Sequence, residues 1–309
     1  MQIYNNNSGK LSQVKEIGFN LEKDMQSLTE ANLENIFGLE FIKTEFQLNN
    51  LRIDSLVFDN ETNSFVIIEY KRGNSYSVID QGMSYLALML NNKADFVLEL
   101  GKKRNKFIDT KDIDWSQSRV IIIADGFNRY QKESINFKDL AIELWELKQF
   151  TNGVVVFNPI RASNTTESIK TVTKFETDEF EKVNKEIKTY NVEDHFKEGW
   201  EKTKELYEEM KERIISLDSR IEEKAVNAYI GYNIGNKNCV ILKVQKTKIV
   251  LELLRVKPED INDPENKTTY IEGSMKWWNK DVTTYNINNR DDIDYGIILV
   301  KQILKKFFS

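Results

Sequence analysis

Three charged residues in the N-terminal half have types and a spacing that could hold a cation and position a proton. Asp54 lies on a predicted strand, Arg52 to Phe58, and Glu69 and Lys71 end a second one, Phe65 to Lys71. Side chains alternate between the two faces of a strand, so Glu69 and Lys71 share one face. The apolar run before them is typical of a strand buried on both faces. Charges there are costly unless they are paired or bind a metal. The presence of charged residues at the end of a buried strand is therefore the main functional signal of the sequence.

Composition limits which metal such a site could hold. The chain of 309 residues has one His and one Cys, too few for a zinc finger, a Cys-His protease or a histidine-based nuclease motif. Carboxylates and carbonyls remain as ligands, and they favour Mg²⁺ or Mn²⁺. The net charge of -5 argues against a non-specific basic coat for DNA. No apolar run approaches a membrane span, and the single Cys and the absence of a signal pattern predict a cytoplasmic protein.

The apolar pattern of the first half predicts a mixture of strands and helices. One helix is expected from Leu21 to Phe37, with Asn20 as its N-cap, and another from Val78 to Leu90. Further strands are expected over Phe41 to Phe46, Ala94 to Leu100, Arg119 to Ala124, Ile142 to Leu147 and Gly153 to Phe157. Gly101 to Lys106 reads as a basic loop. This mixture indicates an α/β domain with a mixed sheet flanked by helices.

A change of composition separates the two halves of the chain. Residues 161–191 are rich in Ser, Thr, Lys and Glu, which is typical of a linker, and a helix from Asp178 to Lys188 fits within it. The predicted domains are therefore 1–160 and 192–309. The second has an amphipathic helix from Glu193 to Leu217 and a closing helix from Asp291 to Phe308. Its strands are expected over Val226 to Tyr232, Cys239 to Val244 and Ile249 to Val256. We expect an α+β domain with an antiparallel sheet that binds a substrate or a partner.

Two polar residues on the Val78 to Leu90 helix extend the charged set. Gln81 and Tyr85 are four residues apart, so they project from one side of that helix. The order Glu22, Asp54, Glu69-Tyr70-Lys71, Gln81-x-x-x-Tyr85 resembles the PD-(D/E)XK nuclease superfamily, with Ile53-Asp54 in place of Pro-Asp. The Gln81 and Tyr85 pair matches its RecB-like branch. A tighter resemblance is to NucS-like endonucleases, in which a strand like Ile142-Glu143-Leu144-Trp145-Glu146-Leu147 follows.

This resemblance, which covers about the first half of the chain, implies a restriction-endonuclease-like fold and metal-dependent cleavage of DNA. The role would be in DNA repair or in defence against foreign DNA. Asp54, Glu69 and the backbone carbonyl of Tyr70 would hold Mg²⁺ or Mn²⁺. Glu22 would hold a second ion or a water bound to one, with Glu30 and Glu34 as rivals on the same helix.

The resemblance also implies roles for the remaining polar residues. Lys71 would position or deprotonate the attacking water, or stabilise the transition state, and Gln81 and Tyr85 would contact the nucleophile or a DNA phosphate. The basic residues expected to follow the DNA backbone are Lys102, Lys103, Arg104 and Arg72. Cleavage of both strands would favour a homodimer. The C-terminal half resembles an uncharacterised domain family that often follows such nuclease domains, and this implies no activity.

Each feature also has an ordinary structural explanation. A Glu-x-Lys pair can be a solvated ion pair at the end of a strand, and a short basic run is often a solvated loop. Tyr85 could be a half-buried tyrosine whose hydroxyl is bonded. The competing hypothesis for the whole chain is a non-catalytic module that retains a nuclease fold and binds nucleic acid or protein. Asp54 and Glu69 would then be a relic.

Overall fold

The chain divides into two compact units. The computed structural model describes residues 2–48, 51–73, 77–136, 140–161 and 178–309. The first unit comprises Met1–Asp59 and Asn63–Lys188, and the second comprises Asn60–Thr62 and Thr189–Ser309. Within those described ranges, no helix is both long enough and apolar enough to cross a bilayer.

The first unit is built on a sheet that mixes antiparallel and parallel strands. Its strands in chain order are β1 Ile3–Asn7, β2 Lys10–Val14, β3 Glu16–Ile17, β4 Glu40–Leu48, β5 Leu51–Asp59, β6 Ser64–Lys71, β7 Arg119–Ala124, β8 Ile142–Phe150 and β9 Val155–Ile160. β4, β5 and β6 are antiparallel neighbours, and β6, β7 and β8 are parallel neighbours. β3 and β9 pair antiparallel with β8, whereas β1 and β2 form a separate two-stranded ribbon. The predicted mixed sheet is confirmed.

Helices cover both faces of this sheet. They are α1 Glu22–Glu30, α2 Leu33–Phe37, α3 Val78–Asn91, α4 Lys93–Arg104, α5 Arg129–Ser134 and α6 Asp178–Glu186, with short 3₁₀ helices at Thr110–Asp112 and Trp115–Gln117. The β6 side chains alternate between two cores. Phe65 and Ile67 join the core that includes α3 and α4, whereas Val66 and Ile68 join the core that includes α1 and α2. β6 is therefore buried on both faces, as its apolar run predicts.

One predicted strand of the first unit is wrong, because residues 94–100 lie in α4. Phe96, Val97 and Leu100 are buried, and Leu98 is 55% exposed. Buried positions at i, i+1 and i+4 follow the period of a helix. In a strand, Phe96, Leu98 and Leu100 would share one face, but Leu98 is exposed whereas the other two are buried.

The predicted basic loop is also wrong in its first part. Lys102, Lys103 and Arg104 form the last turn of α4, where cations interact favourably with the helix dipole. Asn105, in the left-handed conformation with φ of 49°, ends the helix. The positive charges of this segment therefore belong to a helix end.

The predicted helix from Leu21 to Phe37 is two helices. Asn32 separates them, and its side-chain amide donates to the Leu28 carbonyl at 2.8 Å, which satisfies a carbonyl at the end of α1. The predicted N-cap is wrong by one residue, since Leu21 precedes the first turn of α1. Gly38 ends α2 with a φ of 67°, which agrees with the predicted end of the helix at Phe37.

Part of the predicted linker belongs to the first unit. Val183 and Ile187 are 2% and 8% exposed and pack in the core that contains α3. α6 is therefore held by apolar contacts, and the predicted helix at 178–188 is confirmed. Linker residues 162–177 lie outside the described residues.

The second unit is an α+β fold around an antiparallel sheet, as predicted. Its elements are β10 Ile221–Val226, β11 Tyr229–Ile234, β12 Lys237–Val244, β13 Ile249–Leu254, β14 Thr269–Tyr270, β15 Val282–Ile287, α7 Glu201–Ile215, α8 Ser274–Trp278 and α9 Arg290–Phe307. The strand order is β10-β11-β12-β13-β15-β14. The segment predicted as one strand from Val226 to Tyr232 contains the turn between β10 and β11, which a continuous apolar pattern conceals. The helix predicted from Glu193 is likewise a 3₁₀ helix, Val192–His195, followed by α7.

Candidate active site

Glu69 is a buried carboxylate at the carboxyl end of β6. It is 3% exposed, although it is charged. Its Oε1 accepts hydrogen bonds from Lys71 Nζ at 2.7 Å and from Gln81 Nε2 at 3.0 Å. Its Oε2 is buried and accepts no hydrogen bond of normal length from any described residue. One oxygen is thus satisfied, and the other has the free lone pairs that a cation would use.

Asp54 faces Glu69 from the neighbouring strand. The β5–β6 register pairs Ser55 with Ile68, so the next pair outward is Asp54 with Glu69. Asp54 Oδ2 accepts a hydrogen bond from the Tyr70 backbone amide at 3.1 Å. Burial, and then the negative charge of Glu69, raise the pKa of Asp54 to about 6. Two carboxylates that repel each other in this way would be stabilised by a cation between them.

α3 brings the two predicted polar residues to this site. Ser77 Oγ caps the helix by accepting from the Asp80 backbone amide at 3.3 Å. One turn further, Gln81 reaches Glu69, and the Tyr85 hydroxyl donates to the Arg52 carbonyl at 3.3 Å. Burial, and then the charge of Glu69, raise the pKa of Tyr85, so its hydroxyl stays protonated and available as a donor.

A glycine lets α3 lie this close to the sheet. A Cβ built on Gly82 would meet Ile142 Cδ1 at 2.4 Å and Cγ1 at 2.7 Å, well inside van der Waals contact. Ile142 is itself buried in the core that α3 covers, so it has little room to move. The absence of a side chain at position 82 therefore fixes the separation between α3 and β8.

Two acidic residues hold the backbone just beyond Lys71. Glu22 Oε1, in the first turn of α1, accepts from the Arg72 backbone amide at 2.7 Å, and Asp125 Oδ1 accepts from the Gly73 amide at 3.0 Å. The Arg72 guanidinium donates to the Asn20 carbonyl. No group of three or more His, Cys, Asp or Glu side chains converges on one point in the described part of the chain. The role of Glu22 as a ligand therefore stays a prediction.

The rivals of Glu22 on the same segment lie elsewhere. Glu30 Oε1 accepts from Ser55 Oγ at 2.6 Å, and Ser55 Oγ also contacts the Tyr70 hydroxyl at 3.3 Å. Tyr70 points to the opposite face of β6 from Glu69, so Glu30 belongs to the structural network on that face. Glu34 is exposed on α2.

Gln26 is a site-supporting residue that the sequence reasoning missed. It is 3% exposed, and its Nε2 donates to the Asp54 carbonyl at 2.7 Å and to Thr44 Oγ1 at 3.0 Å. The first of these bonds connects α1 to the backbone of Asp54 and so helps to hold its carboxylate in place. A signal was present, because Gln26 lies next to the buried Met25 on the apolar side of α1.

The predicted basic residues of α4 are engaged in contacts within the first unit. Lys102 pairs with Glu99 at 2.7 Å, and Lys103 Nζ lies 5.6 Å from the centre of the Phe41 ring. Arg104 makes a two-pronged contact with Glu40, with N···O distances of 2.5 and 3.3 Å. Arg104 therefore has a clear structural role, and contacts of Arg72, Lys102, Lys103 and Arg104 with nucleic acid stay predictions.

A family model matches the second unit. Residues 192–297 match the family described as "Domain of unknown function (DUF5655)". This agrees with the expected uncharacterised C-terminal domain. It adds no activity, because the description assigns none.

Three solved structures share weak similarity with part of the chain. One, titled "Structure of EndoMS-dsDNA2 complex", is 17% identical, with 43% of this chain and 47% of that chain covered and a TM-score of 0.25. A repair endonuclease from Pyrococcus abyssi is 17% identical, with 43% and 50% covered and a TM-score of 0.24. Pyrococcus furiosus SfsA in complex with Ca²⁺ is 13% identical, with 51% and 69% covered and a TM-score of 0.25. The chain spans only about half the length of the first two, and likeness at these TM-scores supports no conclusion about it.

A full-length relative gives a much stronger match. An "Uncharacterized protein" of Haemophilus influenzae is 39% identical over 305 residues, which cover 99% of this chain and 100% of that protein. Both units are therefore present in the relative in the same order. The chain belongs to the family of this uncharacterised Haemophilus influenzae protein.

Proposed function

We propose that the first unit is an endonuclease that hydrolyses phosphodiester bonds in DNA with the help of Mg²⁺ or Mn²⁺. The observation that carries the proposal is the state of Glu69. Its carboxylate is buried, one oxygen is satisfied by Lys71 and Gln81, and the other has no donor of normal hydrogen-bond length within the described ranges. A buried carboxylate oxygen without a partner is costly, and a bound cation would remove that cost.

The residues around Glu69 fit a hard divalent cation. The groups that would hold it are the carboxylates of Asp54 and Glu69 and the backbone carbonyl of Tyr70, with Glu22 as a further candidate. All are oxygen donors, and a small ligand set suits Mg²⁺, which usually keeps several waters. When bound, the cation would neutralise phosphate charge and make a water molecule easier to deprotonate.

The other residues of the site would position the reacting groups. The Lys71 side chain is 23% exposed, so its amine reaches solvent while it contacts Glu69. It would orient or deprotonate the attacking water, or stabilise negative charge on the phosphate. Gln81 would keep the Glu69 carboxylate in one orientation, and the protonated Tyr85 would donate to a phosphate oxygen.

The test is cleavage by the purified full chain. Single-stranded, double-stranded, branched and mismatched DNA would be incubated with Mg²⁺ or Mn²⁺, with RNA as a comparison. We expect cleavage of at least one DNA and loss of cleavage in Glu69→Gln with an unchanged fold. Absence of cleavage of every DNA in both metals contradicts the proposal. Sedimentation of the active protein would show whether it is the homodimer that cleavage of both strands favours.

A non-catalytic binding module is the second candidate. It is favoured by the lack of a group of three acidic, His or Cys side chains in the described residues. Calorimetric titration with Mn²⁺ separates the two candidates. An active site would bind Mn²⁺ and lose it in Asp54→Ala, whereas a relic would bind none at Asp54 and Glu69.

A further inference from the structure

The ribbon formed by β1 and β2 lies apart from the main sheet. Its register runs from Ile3 opposite Val14 to Asn7 opposite Lys10. Ser8 and Gly9 make the turn with φ of 53° and 89°, and Gly9 donates its amide to Asn6 Oδ1 at 2.9 Å. Val14, at the base, is buried, whereas the rest of β2 is exposed. The ribbon is therefore a defined hairpin whose tip is surrounded by solvent.

The pairing of β8 locates the base of this ribbon. β9 occupies one edge of β8 from Leu144 to Gln149, so β7 and β3 must both pair with the other edge. β7 ends at Ala124, opposite Glu146, and β3 pairs three residues further along β8. β3 therefore lies about 10 Å beyond the carboxyl end of β7, in the same line.

That position is beside the candidate active site. Lys71 at the end of β6 pairs with Ala124 at the end of β7, so the two strands stop at the same level. The line of β3 is then one strand spacing, about 5 Å, from the line of β6. The ribbon leads directly into β3. It therefore begins at the end of the sheet where β6 and β7 terminate, which is also the end that carries Glu69 and Lys71.

Contacts with the β8–β9 turn hold the base of the ribbon. The Thr151 backbone amide donates to the Lys15 carbonyl at 3.0 Å, and Asn152 Nδ2 donates to Asn5 Oδ1 at 3.1 Å. A two-stranded hairpin alone is marginally stable in water, so these anchors matter for its persistence. The ribbon projects from an anchored base.

The ribbon differs from the rest of the chain in charge. Residues 2–15 contain no Asp or Glu, although the chain has 49 of them and a net charge of -5. The segment carries Lys10 and Lys15, and the exposed Tyr4. Its amide side chains are Gln2, Asn5, Asn6, Asn7 and Gln13. A surface with cations, amides and no anions is complementary to a polyanion.

We propose that the β1–β2 ribbon is an arm that contacts duplex DNA next to the site of cleavage, an inference that rests on the proposed function. A two-stranded ribbon fits the major groove, which is about 12 Å wide, and Asn and Gln side chains bond base edges there. Lys10 at the tip would neutralise a phosphate. The arm would fix where the duplex lies relative to Glu69 and Lys71.

A charge reversal at the tip tests the arm. Lys10→Glu would be compared with Lys111→Glu, an equal change at an exposed lysine of the same unit. Lys111 lies at the opposite end of the sheet from Glu69 and Lys71, because its neighbour Asp112 contacts Asn63 in the β5–β6 turn. Binding of the full chain to a fluorescent duplex would be measured by anisotropy in EDTA over a salt series. We expect Lys10→Glu to weaken binding about 5- to 10-fold and to lower the salt slope by about one, with Lys111→Glu unchanged.

Three results overturn the proposal: equal binding by both variants, no duplex binding by the wild type at low salt, or dissociation of a dimer by Lys10→Glu without a change in DNA binding. The last result would assign the ribbon to a second copy of the chain. Cleavage by the wild type in Mg²⁺ or Mn²⁺ is scored separately. If binding depends on the ribbon but the wild type cleaves no DNA, the arm is supported and the proposed hydrolysis is contradicted. If the wild type cleaves DNA but Lys10→Glu binds the duplex as the wild type does, the hydrolysis is supported and the arm is contradicted.

Discussion

The two units each contain a buried glutamate paired with a lysine, and the two pairs differ in one respect. Glu69 in β6 and Glu252 in β13 are 3% and 5% exposed. Lys71 lies 2.7 Å from the first and Lys243 lies 2.6 Å from the second. Among the described residues, one buried oxygen of Glu69 accepts no hydrogen bond of normal length. Neither oxygen of Glu252 is both buried and without a hydrogen-bond partner. An ion pair with a buried acid is therefore not a functional signal by itself.

Glu223 in the second unit is half-buried and shows how several donors can satisfy one carboxylate. Glu223 accepts from Lys211 at 3.0 Å, from the Tyr232 hydroxyl at 3.1 Å and from the Tyr207 hydroxyl. Donors thus converge on one carboxylate from α7 and β11. At Glu69 a second carboxylate, that of Asp54, approaches instead. The excess of negative charge distinguishes the candidate site.

The largest expected effect separates Glu69 from Glu252. We expect Glu69→Gln to reduce cleavage about 10³-fold, because the substitution removes a charge that the cation requires. Glu252→Gln should leave cleavage within about twofold and lower the free energy of unfolding by about 1–2 kcal/mol, since Lys243 loses its partner. Cleavage rates and urea unfolding would be measured for both. Equal losses of activity in Glu69→Gln and Glu252→Gln would show that the unpaired oxygen of Glu69 does not mark a catalytic site.

Lys71 and Lys243 provide the next contrast. Lys71→Ala should reduce cleavage about 10²-fold, the lower end of the usual contribution of a proton-transferring group. Mn²⁺ binding should persist, because the carboxylates remain. Lys243→Ala should affect stability alone. If Lys71→Ala keeps full activity, Lys71 is only the ion-pair partner of Glu69.

The raised pKa of Asp54 predicts a pH-dependent stability in the absence of metal. The pKa of Asp54 is about 6 in the folded chain, above the ordinary aspartate value of 3.8, so folding favours the protonated form. The contribution is fully present below about pH 4 and is lost as the pH rises through 6. After allowance for partial exposure, we expect about 1–2 kcal/mol.

Urea unfolding of the wild type and Asp54→Asn from pH 4 to 8 measures this contribution as a difference. The difference should change most between pH 4 and 6. Mg²⁺ should stabilise the wild type more at pH 8 than at pH 5 and should have little effect on Asp54→Asn. Parallel pH profiles of the wild type and the variant would contradict the raised pKa of Asp54.

The smallest expected effects concern α3. Gln81→Ala removes a hydrogen bond to a buried charge and should reduce cleavage about 10-fold. Tyr85→Phe should cost a few-fold, because it removes a hydroxyl that donates to the Arg52 carbonyl and also interacts with the Glu69 carboxylate. Steady-state rates against metal concentration would show whether Gln81 acts through the orientation of Glu69. A Gln81→Ala effect as large as that of Glu69→Gln would make Gln81 a direct participant.

The strand that carries Glu69 and Lys71 could be predicted because its signals are local. An unbroken apolar run ends in a charged pair, and alternation assigns each side chain to a face. The helical state of residues 94–100 could not be predicted by alternation, because Phe96, Leu98 and Leu100 also fit a strand until their burial is known. The ribbon at residues 3–14 has almost no apolar pattern, since nearly all of it faces solvent.

The site shows the same division between local and distant signals. Asp54, Glu69, Lys71 and Gln81 were predicted as a set, and the structure brings them together. Gln26 was missed because its importance depends on a contact with the Asp54 carbonyl, 28 positions away in the chain. Glu22 was found by its position in the order, yet its contact with the Arg72 backbone depends on where α1 meets the end of β6.

Gly82 affects how experiments on this family should be interpreted. An alanine at this position would remove no donor, acceptor or charge, but it would push α3 away from Ile142 and draw Gln81 away from Glu69. An alanine scan that measures activity alone would then place Gly82, which has no reactive group, among the catalytic residues. Distances in the scaffold can be as sensitive to substitution as chemistry, and a paired substitution such as Gly82→Ala with Ile142→Ala, which restores space, would separate the two causes.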